Sequence, residues 1–189
     1  MNTYENLLRD GFVTAYIDRA YSSNLAYKPQ FISNNHKAGR KVLSSIEDEL
    51  LSCGEFFISV AFINMNGVTP LLQTLKELEK RGVPGKILTT DYQNFSEPRA
   101  LRKLAEFKNI TLRMYRTGGV PGGFHTKGYV FKNEGLYRII IGSSNLTASA
   151  LTISKEWNTR LISTAQGEVA GELVQEFEGL WDSEYTADF

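Results

Sequence analysis

This 189-residue chain has a formal net charge of zero and one cysteine, and each of these features argues against a class of protein. Lysine and arginine total 21, and aspartate and glutamate also total 21. The chain therefore lacks the overall positive charge typical of a general nucleic-acid binder, so any such binding depends on a local group of charges. The single cysteine, Cys53, has no intrachain disulfide partner. This is typical of a protein from a reducing compartment.

Long apolar runs are also missing. The longest ones, such as Phe56 to Ile63, fall far short of the roughly 20 residues that cross a bilayer. The polar, acidic start, Met1 to Asp10, does not resemble a signal peptide. We therefore expect a cytoplasmic protein with no membrane partner. Its 42% hydrophobic and 22% charged residues are typical of a folded domain with a sizeable core.

The spacing of apolar residues predicts an α/β protein with a mixed central sheet and helices on both faces. Helical patterns cover five segments: 4–21, 40–52, 70–81, 98–107 and 169–181. Strand patterns cover six: 55–63, 86–90, 110–115, 124–131, 137–141 and 157–163. The order strand, helix, strand over 55–90 predicts a βαβ unit. We predict an N-terminal helical appendage and connector over 1–35, and the main domain over 36–189.

An uncommon set of polar residues interrupts the apolar pattern late in the chain. Gly118, Gly119, Pro121, Gly122 and Gly123 end a loop, and the next residues alternate as in a strand. This alternation places His125 and Lys127 on the same side. A turn at Asn133 to Gly135 and a second strand then lead into Gly142 and short polar side chains, including Ser143 and Asn145, which would let the backbone come close to an anion. We expect these four polar side chains to converge.

Those residue types suit chemistry on a phosphodiester. A neutral imidazole is a nucleophile for phosphorus, and a lysine and an asparagine donate hydrogen bonds to the oxygens that gain charge in the transition state. Such a scheme needs no metal ion and no cofactor. Neither a carboxylate pair nor a histidine and cysteine cluster at ligand spacing is evident in the sequence.

The pattern resembles the HxK and GSxN signature of the phospholipase D superfamily. His125, Lys127, Ser143 and Asn145 occupy the matching places. The usual acid, five residues after the lysine, is replaced by Lys132. One branch of the superfamily instead carries a glutamate after the asparagine, and Glu156 in the run SKEWN matches it. That branch consists of metal-independent nucleases, including restriction endonucleases and domains fused to helicases.

The resemblance implies a phospholipase D-like fold and a DNA endonuclease that acts through a phosphohistidine. In this mechanism His125 attacks phosphorus, while Lys127, Asn145 and Ser143 hold the phosphoryl oxygens. Glu156 would pair with the imidazole of His125, orient it and balance its charge. Because the sequence has one copy of the motif, the resemblance also implies a homodimer in which two chains share one active site. The resemblance also suggests that the chain is part of a longer helicase or restriction protein.

Other interpretations of the motif remain open. A related fold could grip nucleic-acid phosphates without cleaving them, which Lys132 favours and Glu156 disfavours. A lipid-directed or small-phosphodiester enzyme ranks last, because no basic amphipathic helix is evident. The GSSN run is also typical of a turn or helix N-cap, in which Ser144 or Asn145 would cap a short helix through Ala150.

Three further places are secondary candidates. Thr89, Thr90 and Asp91 end a predicted strand, where open α/β sheets often bind ligands, although a capping turn explains them as well. His36 is interpreted as a surface histidine with a possible phosphate contact. A local basic segment consists of Arg99, Arg102, Lys103, Lys108, Arg113 and Arg116. Such segments are usually a solvated face, and a nucleic-acid role is the alternative.

Overall fold

A computed structural model describes residues 3–118 and 123–189, and these form one mixed sheet with helices on both faces. Its spatial order is β1-β7-β6-β5-β2-β3-β4-β8. The eight strands are β1 (Gln30–Ile32), β2 (Glu55–Val60), β3 (Gly85–Thr90), β4 (Ile110–Tyr115), β5 (Lys127–Asn133), β6 (Leu136–Gly142), β7 (Asn158–Thr164) and β8 (Thr186–Asp188). The predicted fold class is confirmed.

Among these eight strands of the described residues, β2, β3 and β4 pair in parallel, and the other pairs are antiparallel. The β2 and β3 pair confirms the predicted βαβ unit. A two-residue turn joins β5 to β6, with Glu134 and Gly135 at φ values of 48° and 82°. Asparagine before a left-handed pair ending in glycine is a common hairpin turn. This hairpin carries both halves of the predicted motif.

The described residues form six α-helices: α1 (Thr3–Tyr16), α2 (Val42–Ser52), α3 (Met65–Val68), α4 (Leu72–Arg81), α5 (Pro98–Ala105) and α6 (Glu168–Trp181). Successive β2 residues point to opposite faces, so Phe56 packs in one core and Phe57 in the other. The first core holds the apolar faces of α2, α4 and α5, and the second holds that of α6. Cys53 is buried in the first core.

Several boundaries differ from those predicted. The helix expected over 70–81 consists of a 3₁₀ turn (Thr69–Leu71) followed by α4, and α3 precedes it. The first helix was expected to reach Tyr21 and ends at Tyr16. The connector within residues 1–35 contributes β1, while β8 follows the last helix; three residues are too few to show an alternating pattern. The division at residue 35 remains a prediction. Within the predicted glycine loop, Gly119, Pro121 and Gly122 lie outside the described residues.

A buried ion cluster ties α2 to the β6 and β7 strands. The Glu49 carboxylate lies 3.0 Å from an Arg160 nitrogen and 3.6 Å from an Arg138 nitrogen. Burial raises the pKa of Glu49, and the charges of Arg160 and Arg138 oppose that rise. Since two arginines share one carboxylate in a largely dry place, loss of the carboxylate would leave both charges uncompensated.

Candidate active site

One edge of the sheet gathers all five predicted site residues because β2 and β6 end there while β5 and β7 begin there. Lys127 is the first residue of β5 and pairs with Val60, the last residue of β2. His125 lies two residues before that strand. Ser143 and Asn145 follow β6, and Glu156 precedes β7. The topology therefore places the two halves of the motif side by side.

His125 lies before the strand instead of inside it, which corrects the predicted start at Phe124. The reason is that β2 ends at Val60, and the last backbone contact joins Ala61 N–H to the Thr126 carbonyl. The exposed imidazole of His125 meets the ring of Phe62 edge to face, with centroids 6.0 Å apart. Lys127 Nζ donates to the His125 carbonyl at 2.7 Å. His125 and Lys127 are thus neighbours at the site.

The Asn145 side chain is oriented by the backbone of Phe62. Its Oδ1 accepts from the Phe62 N–H at 3.1 Å, and Leu146 N–H donates to the Phe62 carbonyl at 3.1 Å. With the amide oxygen held in this way, the Nδ2 protons of Asn145 point away from the Phe62 backbone. Phe62 therefore contacts His125 with its ring and Asn145 with its backbone, a role that the sequence alone did not suggest.

Glu156 is hydrogen-bonded to Ser143, and its charge acts on Lys127. Ser143 Oγ donates a hydrogen bond to Glu156 Oε2 and accepts one from Trp157 N–H at 3.1 Å. Burial lowers the pKa of Lys127, and the negative charge of Glu156 opposes that lowering. The predicted partner of Glu156 was His125, and within one chain its partner is Ser143 instead. The Ser143 proton is likewise committed to Glu156 and not to a phosphoryl oxygen.

A buried polar network holds the turn after β6. Tyr129 Oη donates to the Ser144 carbonyl at 3.0 Å, and the Asn158 amide bonds both Ser144 N–H and Ser144 Oγ. Ser144 and Asn145 are therefore occupied by tertiary contacts and do not cap the short π-helix at Ser149–Ile153. Burial also raises the pKa of Tyr129, so its hydroxyl remains a donor.

Gly142 is required by a close approach of protein backbone. A Cβ at this position would lie 2.2 Å from the Trp157 carbonyl oxygen. The expectation was that this glycine lets the backbone approach an anion. Its actual neighbour is the segment that carries Glu156, so the glycine serves to bring Glu156 next to Ser143.

The segment before Glu156 is fixed by Asn34. The buried Asn34 Nδ2 donates to the carbonyls of Ala150 and Ser154, each at 2.8 Å. Beside it, a cavity of about 380 Å³ is lined by Ser33, Asn34, Asn35, His36, Lys37, Lys155, Glu156 and Trp157. His36 is exposed, as predicted, and it lines this cavity together with Glu156.

Lys132, which replaces the usual acid, lies away from the site. It is five residues along β5 from Lys127, a distance of about 17 Å for an extended strand. Its Nζ is 3.4 Å from Glu55 Oε2 and 5.8 Å from the centre of the Tyr137 ring. A side chain at that position contacts the neighbouring strands and does not reach the residues around His125.

The secondary candidates have mainly structural contacts. Thr89 is fully buried and bonded to Ser96, while Asp91 accepts from both the backbone and the hydroxyl of Thr117. Within the basic segment, Arg113 is fixed by Asp188 and the Trp181 carbonyl. Arg99, Arg102, Lys108 and Arg116 remain exposed.

Among residues 3–118 and 123–189, no three histidine, cysteine, aspartate or glutamate side chains lie close enough to hold a metal ion. In the same part of the chain, every helix is too short or too polar to cross a bilayer.

Comparison with known proteins places this arrangement in a family. Residues 49–181 match the family described as "Cardiolipin synthase, PLD-like domain". No curated protein sequence matches the chain. Two solved structures of similar size share the fold. NucT from Helicobacter pylori has a TM-score of 0.65 at 16% identity, and Nuc from Salmonella typhimurium, a phospholipase D family member, has 0.63 at 17%. Both alignments cover 86% of this chain and 99% of the other.

A third, more distant structure is the yeast tyrosyl-DNA phosphodiesterase, with a TM-score of 0.52 at 13% identity over 82% of this chain and 39% of that one. Sheet order, site edge and these matches together define a phospholipase D-like α/β domain. Because the family match covers more than two thirds of the sequence, the chain belongs to the PLD-like domain family, in the phospholipase D superfamily. The resemblance inferred from HxK and GSxN is confirmed.

Proposed function

We propose that this protein is a metal-independent phosphodiesterase, and most specifically a DNA endonuclease domain. The observation that carries the proposal is the position of the exposed His125 imidazole, Lys127 and the half-buried Asn145 at one sheet edge, where His125 and Asn145 both contact Phe62. A nucleophile beside two hydrogen-bond donors suits attack on phosphorus. The choice of DNA follows from Glu156, which matches the nuclease branch containing restriction endonucleases and helicase-fused domains.

The proposed reaction proceeds in two steps. A nitrogen of His125 bonds to phosphorus as the bond from phosphorus to the leaving oxygen breaks, and His125 of the partner subunit gives that oxygen a proton. Water then attacks the phosphohistidine, its proton passes to the same partner histidine, and the P–N bond breaks. Lys127 and Asn145 stabilise the charge on the phosphoryl oxygens in both steps. Glu156 acts as a positioning residue for Lys127 and Ser143.

We also propose a homodimer that shares this site, because one chain supplies one HxK histidine and the reaction uses two. Exposed apolar side chains next to Glu156 support the location of the interface. Trp157 is 75% exposed, and its ring meets the exposed ring of Phe31 edge to face at 6.0 Å. Ile153 is also exposed nearby in the chain. A second copy would cover this apolar surface at the side of the motif.

The remote position of Lys132 favours catalysis over phosphate binding alone. Its side chain pairs with Glu55, about 17 Å along the strand from Lys127. Loss of an acid at that place removes no group from the edge that holds His125, Lys127 and Asn145. The sequence feature that supported an inactive binding module therefore acts at a distance from the proposed chemistry.

The function is tested by incubating the purified protein with plasmid and single-stranded DNA in excess chelator. We expect cleavage to continue at the same rate, because imidazole and the Lys127 and Asn145 donors supply the chemistry. The His125→Ala variant, assayed in parallel, controls for contaminating nucleases. Cleavage that requires added Mg²⁺ or Mn²⁺, or that persists in the variant, would contradict the proposed mechanism.

Glu156→Gln is expected to keep the fold and lower kcat/KM for DNA roughly a hundredfold. Its negative charge favours the protonated form of Lys127, and loss of one transition-state donor commonly costs on the order of 10²-fold to 10³-fold. The pH profile of kcat/KM should shift in a defined direction. Lys127 brings a positive charge to the phosphate only while it is protonated, and burial already lowers its pKa. Without the opposing Glu156 charge, that pKa falls further, so the alkaline limb of kcat/KM moves to lower pH.

The control for this substitution is Glu55→Gln, which removes a carboxylate from the distant Lys132 pair. It should leave both the rate and the pH profile unchanged. An unchanged alkaline limb in Glu156→Gln would show that Glu156 does not act through Lys127, even if the rate falls.

A further inference from the structure

A row of aromatic rings leads away from His125 along the site edge. Phe62 lies 6.0 Å from the His125 ring and 5.0 Å from the Phe95 ring, and Phe95 lies 6.4 Å from the Tyr92 ring, all measured between centroids. Each contact is edge to face. The two outer rings are substantially exposed, Phe95 at 54% and Tyr92 at 40%. Large rings in water beside a catalytic residue suggest a surface for another planar group.

The loop that carries these rings is anchored at both ends. At its start, Asp91 Oδ1 accepts two hydrogen bonds from Thr117, at 2.8 and 2.9 Å, and Thr90 Oγ1 accepts from Tyr92 N–H. At its end, the buried Ser96 hydroxyl lies 3.1 Å from Thr89 Oγ1 and accepts from Ile63 N–H. The polar side chains thus hold the loop to the sheet, while the aromatic ones are left facing solvent.

Between the anchors the backbone takes an unfavourable shape. Gln93 and Asn94 have φ values of 49° and 54°. This is the left-handed region, which residues other than glycine rarely adopt. This conformation allows Tyr92 and Phe95 to lie on the same side of the loop in mutual contact. A fixed loop that exposes two rings loses little conformational entropy when a ligand stacks on them.

The helix after this loop is basic on its outer face. The α5 sequence PRALRKLA carries three positive charges and no negative one, and its buried residues are Ala100, Leu101 and Leu104. Arg99, Arg102 and Lys103 line a cavity of about 330 Å³ together with Met65 and Glu106. Glu97 and Glu106 pair with Arg99 and Lys103 respectively, whereas Arg102 makes no salt bridge with any described residue. Aromatic rings followed by cations are the combination that binds single-stranded nucleic acid.

We propose that Phe95 and Tyr92 form a stacking surface for an unpaired nucleobase next to the phosphodiester at His125, with Arg102 facing the adjoining phosphate. The proposal rests on the proposed phosphodiesterase function and narrows its substrate to single-stranded nucleic acid or strand ends. Bases within a duplex already stack on their neighbours, so their faces are not available to these rings. Base–aromatic stacking tolerates any sequence, since every base has a flat face.

The experiment measures binding by fluorescence anisotropy in a His125→Ala background, which prevents cleavage. The probes are a labelled 12-mer of DNA, its duplex, the same strand with abasic sites, and an RNA strand of equal sequence. We expect Phe95→Ala with Tyr92→Ala to weaken binding of the intact single strand by about tenfold or more. Duplex and abasic strands should change less than twofold. Phe95→Trp should keep the affinity, because it keeps a ring.

Phe12→Ala is the matched control, since Phe12 is 53% exposed on α1 and contacts Tyr16 instead of the site. It should leave all affinities unchanged. Equal losses on intact and abasic strands, or no loss on either, would overturn the stacking surface while cleavage by the unmodified protein still upholds the phosphodiesterase. Absence of both binding and cleavage in the unmodified protein would overturn the two proposals together. RNA binding with the same dependence on Phe95 would support stacking and would show that the surface accepts RNA as well as DNA.

Discussion

His125→Ala is expected to abolish phosphodiester cleavage, with a fall in kcat of the order of 10⁵-fold or more, because the variant loses the proposed nucleophile. The substitution should not disturb the fold, since the imidazole is exposed and lies before β5. Among described residues its side chain contacts the Phe62 ring and makes no hydrogen bond. Circular dichroism and single-turnover kinetics on a labelled oligonucleotide check the two statements.

His36→Ala is the control, because His36 is the only other histidine in the chain and lines a cavity to which neither His125 nor Lys127 contributes. Its rate should stay within a few-fold of the unmodified protein. Quenching the unmodified enzyme during turnover should trap an acid-labile phosphoenzyme that His125→Ala does not form. A comparable loss of rate in both variants would mean that His125 is not specifically the nucleophile.

The same variant tests the shared site. If each reaction uses one His125 from each subunit, a mixed dimer of unmodified and His125→Ala chains lacks either the nucleophile or the proton donor. Titrating the variant into a fixed amount of enzyme, under conditions that exchange subunits, should therefore inhibit cleavage as mixed dimers form. Sedimentation should show a dimer for both proteins. A fully active monomer, or rates that ignore the added variant, would exclude the two-histidine mechanism.

Glu49→Ala is expected to lower the free energy of unfolding by about 3–5 kcal/mol, the usual cost of removing one partner from a buried ion pair. Its carboxylate lies between Arg138 and Arg160, whose side chains are 17% and 15% exposed. Both charges would remain in a poorly solvated place without a counter-charge. The loss is a large share of the stability of about 5–15 kcal/mol typical of a domain. Urea unfolding followed by tryptophan fluorescence measures it.

Glu55→Ala supplies the comparison, since its partner Lys132 and its own side chain are 43% and 33% exposed. Such a pair is worth less than about 1 kcal/mol. Glu49→Gln should fall between the two, because the amide keeps an acceptor for one arginine. If Glu49→Ala costs no more than Glu55→Ala, the arginines are solvated well enough in solution to stand alone, and the cluster does not hold α2 to the sheet.

Local patterns in the sequence were sufficient for most elements. The strand Ile110–Tyr115 and the turn at Asn133 to Gly135 are in place as predicted. Apolar periodicity and turn residues act over short stretches, and they dominate where an element is long enough to repeat its pattern. The HxK and GSxN residues were recognised from their residue types, their order and their resemblance to a known signature. Their order on two neighbouring strands of a hairpin already required them to share an edge.

Tertiary contacts decided what those residues touch. Asn145 is oriented by Phe62, 83 positions earlier in the chain, and Glu156 meets Ser143 across 13 positions. The short edge strands and the aromatic row beside His125 likewise depend on which segments pack together. Sequence spacing carries no record of such distant partners, because they are chosen by the docking of whole elements. The sequence by itself was sufficient to name the candidate residues of the site, and only the folded chain determined their hydrogen bonds.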